Sequence, residues 1–199
     1  KTSFYYNLDD SKDNKHNRLI FSLSKKQKLI YNDVRKFGFI KILDKRQLQY
    51  NLHLKNLGPE PLGNSFDFKY FKNYLINRNR TIKDILMDQK FVSGLGNIYV
   101  NEVLFLSKVK PTKKTYLIKN NEIHKIIKNT KKTLKKAISL GGSSLRDFSS
   151  SDGKKGEFQQ YFYVYGRKGD NCLNRNCNKK IIKTIIGNRA TFYCPKCQK

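Results

Sequence analysis

Apolar and polar positions change their period twice along this chain. Up to residue 60 the apolar residues fall in short runs, Leu19 to Leu23, Lys28 to Tyr31 and Phe37 to Leu43, divided by polar breaks, which predicts β-strands. Gly58-Pro59-Glu60-Pro61-Leu62-Gly63 then reads as a stiff linker and a domain boundary. Beyond it the spacing becomes helical. Phe68, Phe71, Tyr74 and Leu75 lie on one face of a helix within Asp67 to Ile76, and Thr81 is placed to cap a second helix carrying Ile82, Ile85 and Leu86. After the tight turns of Gly94-Leu95-Gly96-Asn97, a third helix carries Ile98, Val103, Leu104 and Leu106 and stops before Pro111. A long amphipathic helix from Asn121 puts Ile123, Ile126, Ile127, Leu134, Ala137 and Ile138 on its inner face and lysines on the other, ending at Gly141-Gly142. Ser143 to Glu157 is polar and reads as a mobile loop. Tyr161 to Tyr165 and both flanks of Gly187-Asn188 read as strands.

Charge changes the picture next. Lys and Arg total 42 against 15 Asp and Glu, a formal net charge of +27 over 199 residues. Such a charge repels itself unless a polyanion lies opposite it, and nucleic acid is the obvious one. The richness in Asn, Lys, Ile and Tyr is also the drift of an AT-rich genome, so charge alone leaves both readings open. No apolar run approaches the length needed to span a membrane, so no membrane partner is expected.

All four cysteines lie at one end, as Cys172-x4-Cys177 and Cys194-x2-Cys197. A disulfide scaffold spreads its cysteines through the fold, whereas two close pairs at one end read as a Zn²⁺ site of four thiolates in a reducing compartment. Between the pairs, Ile181 to Ile186, Gly187-Asn188-Arg189 and Ala190 to Tyr193 read as strand, turn and strand, a hairpin that metal would stabilise. Four buried or redox cysteines are the plainer alternative. A zinc ribbon does not by itself choose among DNA, RNA and protein.

Several stretches, in order and over nearly the whole chain, resemble one family. Met87 to Phe105, with Gly94-Leu95-Gly96-Asn97 at its centre, resembles the helix–two-turn–helix signature of the Fpg/Nei DNA glycosylases. Asn32-Asp33-Val34-Arg35-Lys36-Phe37-Gly38 resembles their Asp-Pro-Arg-Arg-Phe-Gly loop, with Val34 in place of Pro. Leu57 to Leu62 is similar to their interdomain linker. Tyr165-Gly166-Arg167 and Arg189 to Lys199 are similar to their zinc finger, although the first cysteine pair has four intervening residues where the family usually has two. The implied fold is α+β: the remainder of an N-terminal β-sandwich over 1–60, a helix–two-turn–helix domain over 61–160 and a C-terminal β-hairpin zinc finger over 161–199.

The resemblance also implies roles. Lys83 and Asn97 clamp phosphates beside the damaged nucleotide; without it, Asn97 reads as a helix cap and Lys83 as a solvated surface charge. Arg189, at the hairpin tip, holds phosphates around the lesion and assists the second elimination; the alternative is a generic surface Arg. Arg35 faces the orphaned base while Phe37 wedges the stack, against a strand-edge Arg and a core Phe. His16, Arg78 and Arg80 are further phosphate contacts; for His16 the alternative is an ordinary structural His. Leu145 to Phe158 resembles the loop that caps an extruded oxidised purine in the Fpg branch, the base having been flipped out of the duplex, and it is otherwise a long surface loop.

The implied function is base-excision repair: removal of oxidised purines such as 8-oxoguanine and formamidopyrimidines, followed by β,δ-elimination at the abasic site. The partner is double-stranded DNA carrying oxidised bases or abasic sites, the cofactor Zn²⁺, the state a monomer and the setting the bacterial cytoplasm at the nucleoid. The family's nucleophile is the amine of an N-terminal Pro in Pro-Glu-Leu-Pro-Glu, which these residues do not contain. Lys1 corresponds to a point just after a strand ending in Met-x-Gly. The 199 residues are therefore expected to bind DNA without turnover. Alternatives are a non-catalytic zinc-ribbon DNA-binding paralogue, a Nei-type glycosylase for oxidised pyrimidines, and an RNA-binding zinc ribbon.

Overall fold

The computed structural model describes residues 2–7, 15–23, 27–34, 36–143 and 156–199, the first of these as backbone only. The chain divides into two compact units, one of residues 1–44 and 136–161 and one of residues 45–135 and 162–199.

In the first unit, strands β1 (Thr2–Asn7), β2 (Asn17–Ser22) and β3 (Lys28–Asp33) form an antiparallel sheet in the order β1-β3-β2. Strand β1 lies in a stretch where alternation is too weak to announce it. The expected strand over Phe37 to Leu43 is absent: residues 37–44 carry no regular structure, and Phe37, Phe39, Ile40 and Ile42 are exposed rather than packed on a sheet face. The backbone turns away after β3 because the buried Asp33 carboxylate accepts from Lys36 N at 3.1 Å and Gly38 N at 2.7 Å. Those amides are spent on a loop and not on a ladder.

The second unit holds the helical core. Helix α1 (Phe68–Leu75) is capped by Asp67, whose side chain accepts from Tyr70 N at 2.7 Å. Helix α2 (Ile82–Leu86) is capped by Thr81, whose hydroxyl accepts from Asp84 N at 3.2 Å. Helices α3 (Asn97–Leu106) and α4 (Asn120–Ser139) complete the set. Phe66, Phe71, Ile85, Phe91, Leu104 and Ile126 are wholly buried at its centre. Burying such side chains stabilises by about 1.5–3 kcal/mol each. The linker docks onto this unit through Gly58 N to Gln89 O (2.8 Å) and Ser93 N to Pro59 O (3.1 Å).

Helix α4 keeps the predicted inner face with one correction. Ile138 is exposed, since it lies one residue off the buried Ala137 in the last turn. Gly141 and Gly142 then take positive φ, and Gly142 N returns to Ala137 O at 2.8 Å. Ser143 pairs with Glu157, and residues 144–155, where the capping loop is expected, lie outside the described residues.

Tyr161 to Tyr165 is not a strand. A short 3-10 turn, Phe158–Tyr161, leads into irregular backbone, and the N–H groups of Tyr163, Val164 and Tyr165 all donate to the buried Glu102 carboxylate, at 2.8, 3.0 and 2.9 Å. Strands β4 (Ile182–Ile186) and β5 (Arg189–Tyr193) form the C-terminal hairpin in the register expected of a two-residue turn. Among the described residues no helix is long and apolar enough to cross a membrane.

Candidate nucleic-acid interface

The interface begins at the amino end of α3. Gly94 adopts φ +73°, and, chain neighbours aside, no atom of the described residues lies within 4 Å of where a Cβ would sit at Gly94 or Gly96. The Gln89 side chain holds this double turn from behind, accepting from Gly94 N at 2.7 Å and donating to Leu95 O at 3.3 Å. Gly96 is the cap residue, and no side chain caps the helix, in contrast with α1 and α2. An uncapped helix start bordered by open glycine backbone is a ready position for an anionic oxygen.

Asn97 is therefore not the helix cap. Its Nδ2 donates to Ala190 O at 3.0 Å, tying α3 to the hairpin. Lys83 is not a solvated charge either: it is 1% exposed, and its Nζ donates to the same Ala190 O at 3.1 Å and to Thr191 Oγ1 at 2.6 Å. Burial lowers the Lys83 pKa to about 8; Asp84 opposes that shift and Arg189 adds to it. Asn101, one helical turn after Asn97, completes the junction. Its Oδ1 accepts from Phe192 N at 2.7 Å and its Nδ2 donates to Asn97 O at 2.7 Å.

This junction positions Arg189. Gly187 and Asn188 have φ of +53° and +59°, the pattern of a type I′ turn, which matches the twist of a hairpin. A Cβ on Gly187 would stand 2.7 Å from Asp84 Oδ1, so the tip lies directly against α2. Arg189, the first residue of β5, is exposed beside it. A cavity of about 400 Å³ runs between Arg80, Asp84, Gly187 and Arg189. Arg80 is held there, pairing with Asp88 Oδ2 at 2.7 Å and donating to Asp84 O at 3.1 Å. Arg78 is not part of this cavity; its guanidinium lies 4.0 Å over the Tyr74 ring and lines a separate hollow with Tyr116.

At the base of the hairpin the four cysteines converge. All four sulfurs lie within 4.8 Å of one another, with Cys172 to Cys197 at 3.8 Å and Cys177 to Cys194 at 3.6 Å, and no disulfide joins them. A tetrahedral ion about 2.3 Å from each sulfur needs edges of roughly 3.8 Å, so the set fits a metal such as zinc. The longer first pair is accommodated by a turn in which Cys177 N donates to Asn174 O at 2.9 Å, while Asn174 Nδ2 donates to Cys197 Sγ at 3.4 Å. Phe105, Val164, Ile181 and Phe192 pack around the cysteines.

The remaining predicted residues lie in the first unit. His16 is half-buried, and its carbonyl accepts from Asp33 N at 3.0 Å. Phe37 is 76% exposed, which rules out a core role. Arg35 lies outside the described residues.

Asn101, Thr191, Glu102 and Asp33 were not singled out by sequence reasoning. Two of them left a signal there. Asn101 falls one turn after Asn97, and Glu102 interrupts an otherwise apolar helix face. A charge in that setting is held by partners or not tolerated. Burial raises the Glu102 pKa, and the three N–H groups oppose that shift.

Comparison with known proteins agrees with this geometry. Residues 57–149 match the family model for the formamidopyrimidine-DNA glycosylase H2TH domain. Formamidopyrimidine-DNA glycosylase of Rickettsia bellii is 43% identical over 185 residues, which cover 93% of this chain and 67% of that protein. The chain belongs to the formamidopyrimidine-DNA glycosylase (Fpg) family. The Rickettsia felis Fpg is 44% identical over 92% of this chain and 66% of its own length. The chain thus spans about two thirds of the length of these curated relatives. Among solved structures, Lactococcus lactis Fpg in complex with an abasic-site-containing DNA superposes with a TM-score of 0.90 at 37% identity, covering 100% of this chain and 72% of that one. A mutant Lactococcus lactis Fpg with Fapy-dG-containing DNA gives the same TM-score and identity.

Proposed function

We propose that this chain holds damaged double-stranded DNA for base-excision repair of oxidised purines, with the glycosylase and β,δ-elimination chemistry of Fpg, as a monomer in the bacterial cytoplasm at the nucleoid. The observation that carries the reading is the convergence of Lys83 and Asn97 on Ala190 O, next to Arg189 at the hairpin tip and beside the uncapped amino end of α3. Phosphates of the strand around the lesion take the α3 amides and the Arg189 guanidinium. Arg80 and Arg78 extend the contact along the backbone, and His16 adds one from the first unit. Arg35 and Phe37 fill the gap left by the extruded base, and the exposure of Phe37 supports that use. In this reading, as the family resemblance implies, the segment from Leu145 to Phe158 caps the extruded purine.

Cys172, Cys177, Cys194 and Cys197 hold Zn²⁺ in this reading. The ion is structural: it fixes the base of the hairpin whose tip carries Arg189. The family resemblance assigns the amine nucleophile to an N-terminal Pro, so residues 1–199 alone contribute DNA binding, and Arg189 contributes phosphate engagement at the second elimination.

The test uses a duplex with 8-oxoguanine or an abasic site. The 199-residue polypeptide should bind it, and borohydride should trap no covalent adduct. Arg189→Ala and Asn97→Ala should weaken binding to damaged and undamaged duplexes alike. Log affinity should fall with log salt by about 0.9 per phosphate contact. Salt-independent binding would refute the phosphate clamp, and efficient trapping would show that the nucleophile lies within these residues.

A further inference from the structure

A second basic surface lies at the opposite end of α3 from Asn97. Ten residues of helix rise about 15 Å, which sets the two ends apart. There a cleft of about 490 Å³ is lined by Lys108, Lys113, Lys119, Lys125, Lys196 and Lys199. The side-chain carboxylate among its described lining residues, Glu122, is already engaged: Lys113 Nζ reaches its two oxygens at 2.8 and 3.0 Å, and Lys119 N donates to it at 2.9 Å. Lys108, Lys119, Lys125, Lys196 and Lys199 are exposed, and among the described residues none of them pairs with a carboxylate. Lys108 holds φ +60°, a conformation that favours glycine, so a cation stands at the rim where glycine would be less strained.

The charge does not stop at the cleft. Lys125, Lys128, Lys132 and Lys135 of α4 are all exposed and follow one another at helical spacing, a line about 15 Å long. A compact anion would need only the cleft. A line of cations leading out of it fits an extended polyanion with regularly spaced charges, which is the backbone of nucleic acid.

We propose that this cleft and the α4 lysine line bind a second DNA duplex, separate from the lesion-bearing one, so that one protein molecule bridges two duplex segments. The proposal rests on the DNA-binding reading above. Bridging lets the protein pass from one segment to another without full release, which suits a search through undamaged DNA.

The experiment titrates the 199-residue chain with short duplexes in low salt and reads stoichiometry by native mass spectrometry and bridging by energy transfer between differently labelled duplexes. Wild type should bind two duplexes and give transfer. The variant Lys125→Gln/Lys128→Gln/Lys132→Gln/Lys196→Gln should bind one, keep its affinity for the abasic duplex and lose transfer. In wild type the salt slope of the second event should be at least about 3 to 4, the share of these four contacts. Charge reversal of the same four to Glu should abolish the second event outright. Saturation of wild type at one duplex, or two duplexes on the Gln variant, would overturn the proposal. So would a poly-glutamate peptide that occupies the cleft, with loss on the Gln variant, while a second duplex does not, since the partner would then be an acidic protein. Failure of the first binding event, with or without the second, would instead count against the lesion-site reading.

Discussion

Replacing Asn101 with Leu removes a wholly buried part of the hairpin junction while keeping the number of side-chain heavy atoms. Asn101 is wholly buried, with Phe192 N at 2.7 Å on one side and Asn97 O at 2.7 Å on the other. Leucine leaves the Phe192 N–H buried without an acceptor, at a cost of about 1–3 kcal/mol, and the lost donor adds about 1 kcal/mol. The total, about 2–4 kcal/mol, falls on docking of the hairpin and not on the helical core, whose large apolar side chains are untouched. At about 1.4 kcal/mol per factor of ten, amide exchange at Phe192 should quicken by about 30- to 700-fold. Exchange measured residue by residue should show this loss in β5 and little change at Ile85 or Leu104. The cysteine site at the hairpin base should keep its metal, while affinity for an abasic duplex drops because Arg189 is no longer held against α2. Unchanged exchange at Phe192, or unchanged affinity despite faster exchange, would refute the claim that this junction positions Arg189.

Metal analysis after dialysis should find one zinc per chain, and Cys194→Ser should lose both the metal and DNA binding; a metal-free chain that binds normally would sink the zinc reading. Lys83, with its pKa lowered to about 8 by burial, takes up fewer protons folded than unfolded between about pH 8 and pH 10.5. The unfolded chain binds the extra proton there, so stability rises with pH through this window by up to ~1.4 kcal/mol per unit. Lys83→Met should flatten that part of the denaturation-against-pH curve, and an unaltered slope would contradict it. Glu102→Ala leaves the N–H groups of residues 163–165 without their acceptor and should lower the melting temperature while destabilising the approach to the cysteine site; limited proteolysis near Tyr163 checks this.

The helices were legible because each carried its own stop and start. Asp67 and Thr81 cap, Gly141-Gly142 terminates, and apolar residues keep one face between them. The hairpin was legible from Gly187-Asn188, whose left-handed backbone few other pairs accept as readily. Where the reading failed, a distant side chain had taken the backbone. Residues 163–165 alternate suitably for a strand, yet Glu102, some sixty positions earlier, collects their N–H groups. Residues 37–43 are apolar enough for a strand, but Asp33 bends the chain first. Local pattern contains no information about such captures. The same holds at the interface: the types Lys83 and Asn97 marked the place, and only packing revealed that both are occupied in holding the hairpin.

Asp33 has a consequence for timing. Its carboxylate fastens the amides on both sides of Phe37, at Lys36 and Gly38, so the ring stands out from a short stretch of chain that is already set before any duplex arrives. In the proposed reading, Phe37 probes base stacks during scanning. A pre-set probe gives up little freedom at each encounter, so each insertion forms at little entropic cost. Asp33→Ala would leave the contact atoms in place and return that freedom to the chain, making each probing event slower to form. In that reading the carboxylate sets how fast DNA is sampled, a property of the search and not of the final complex.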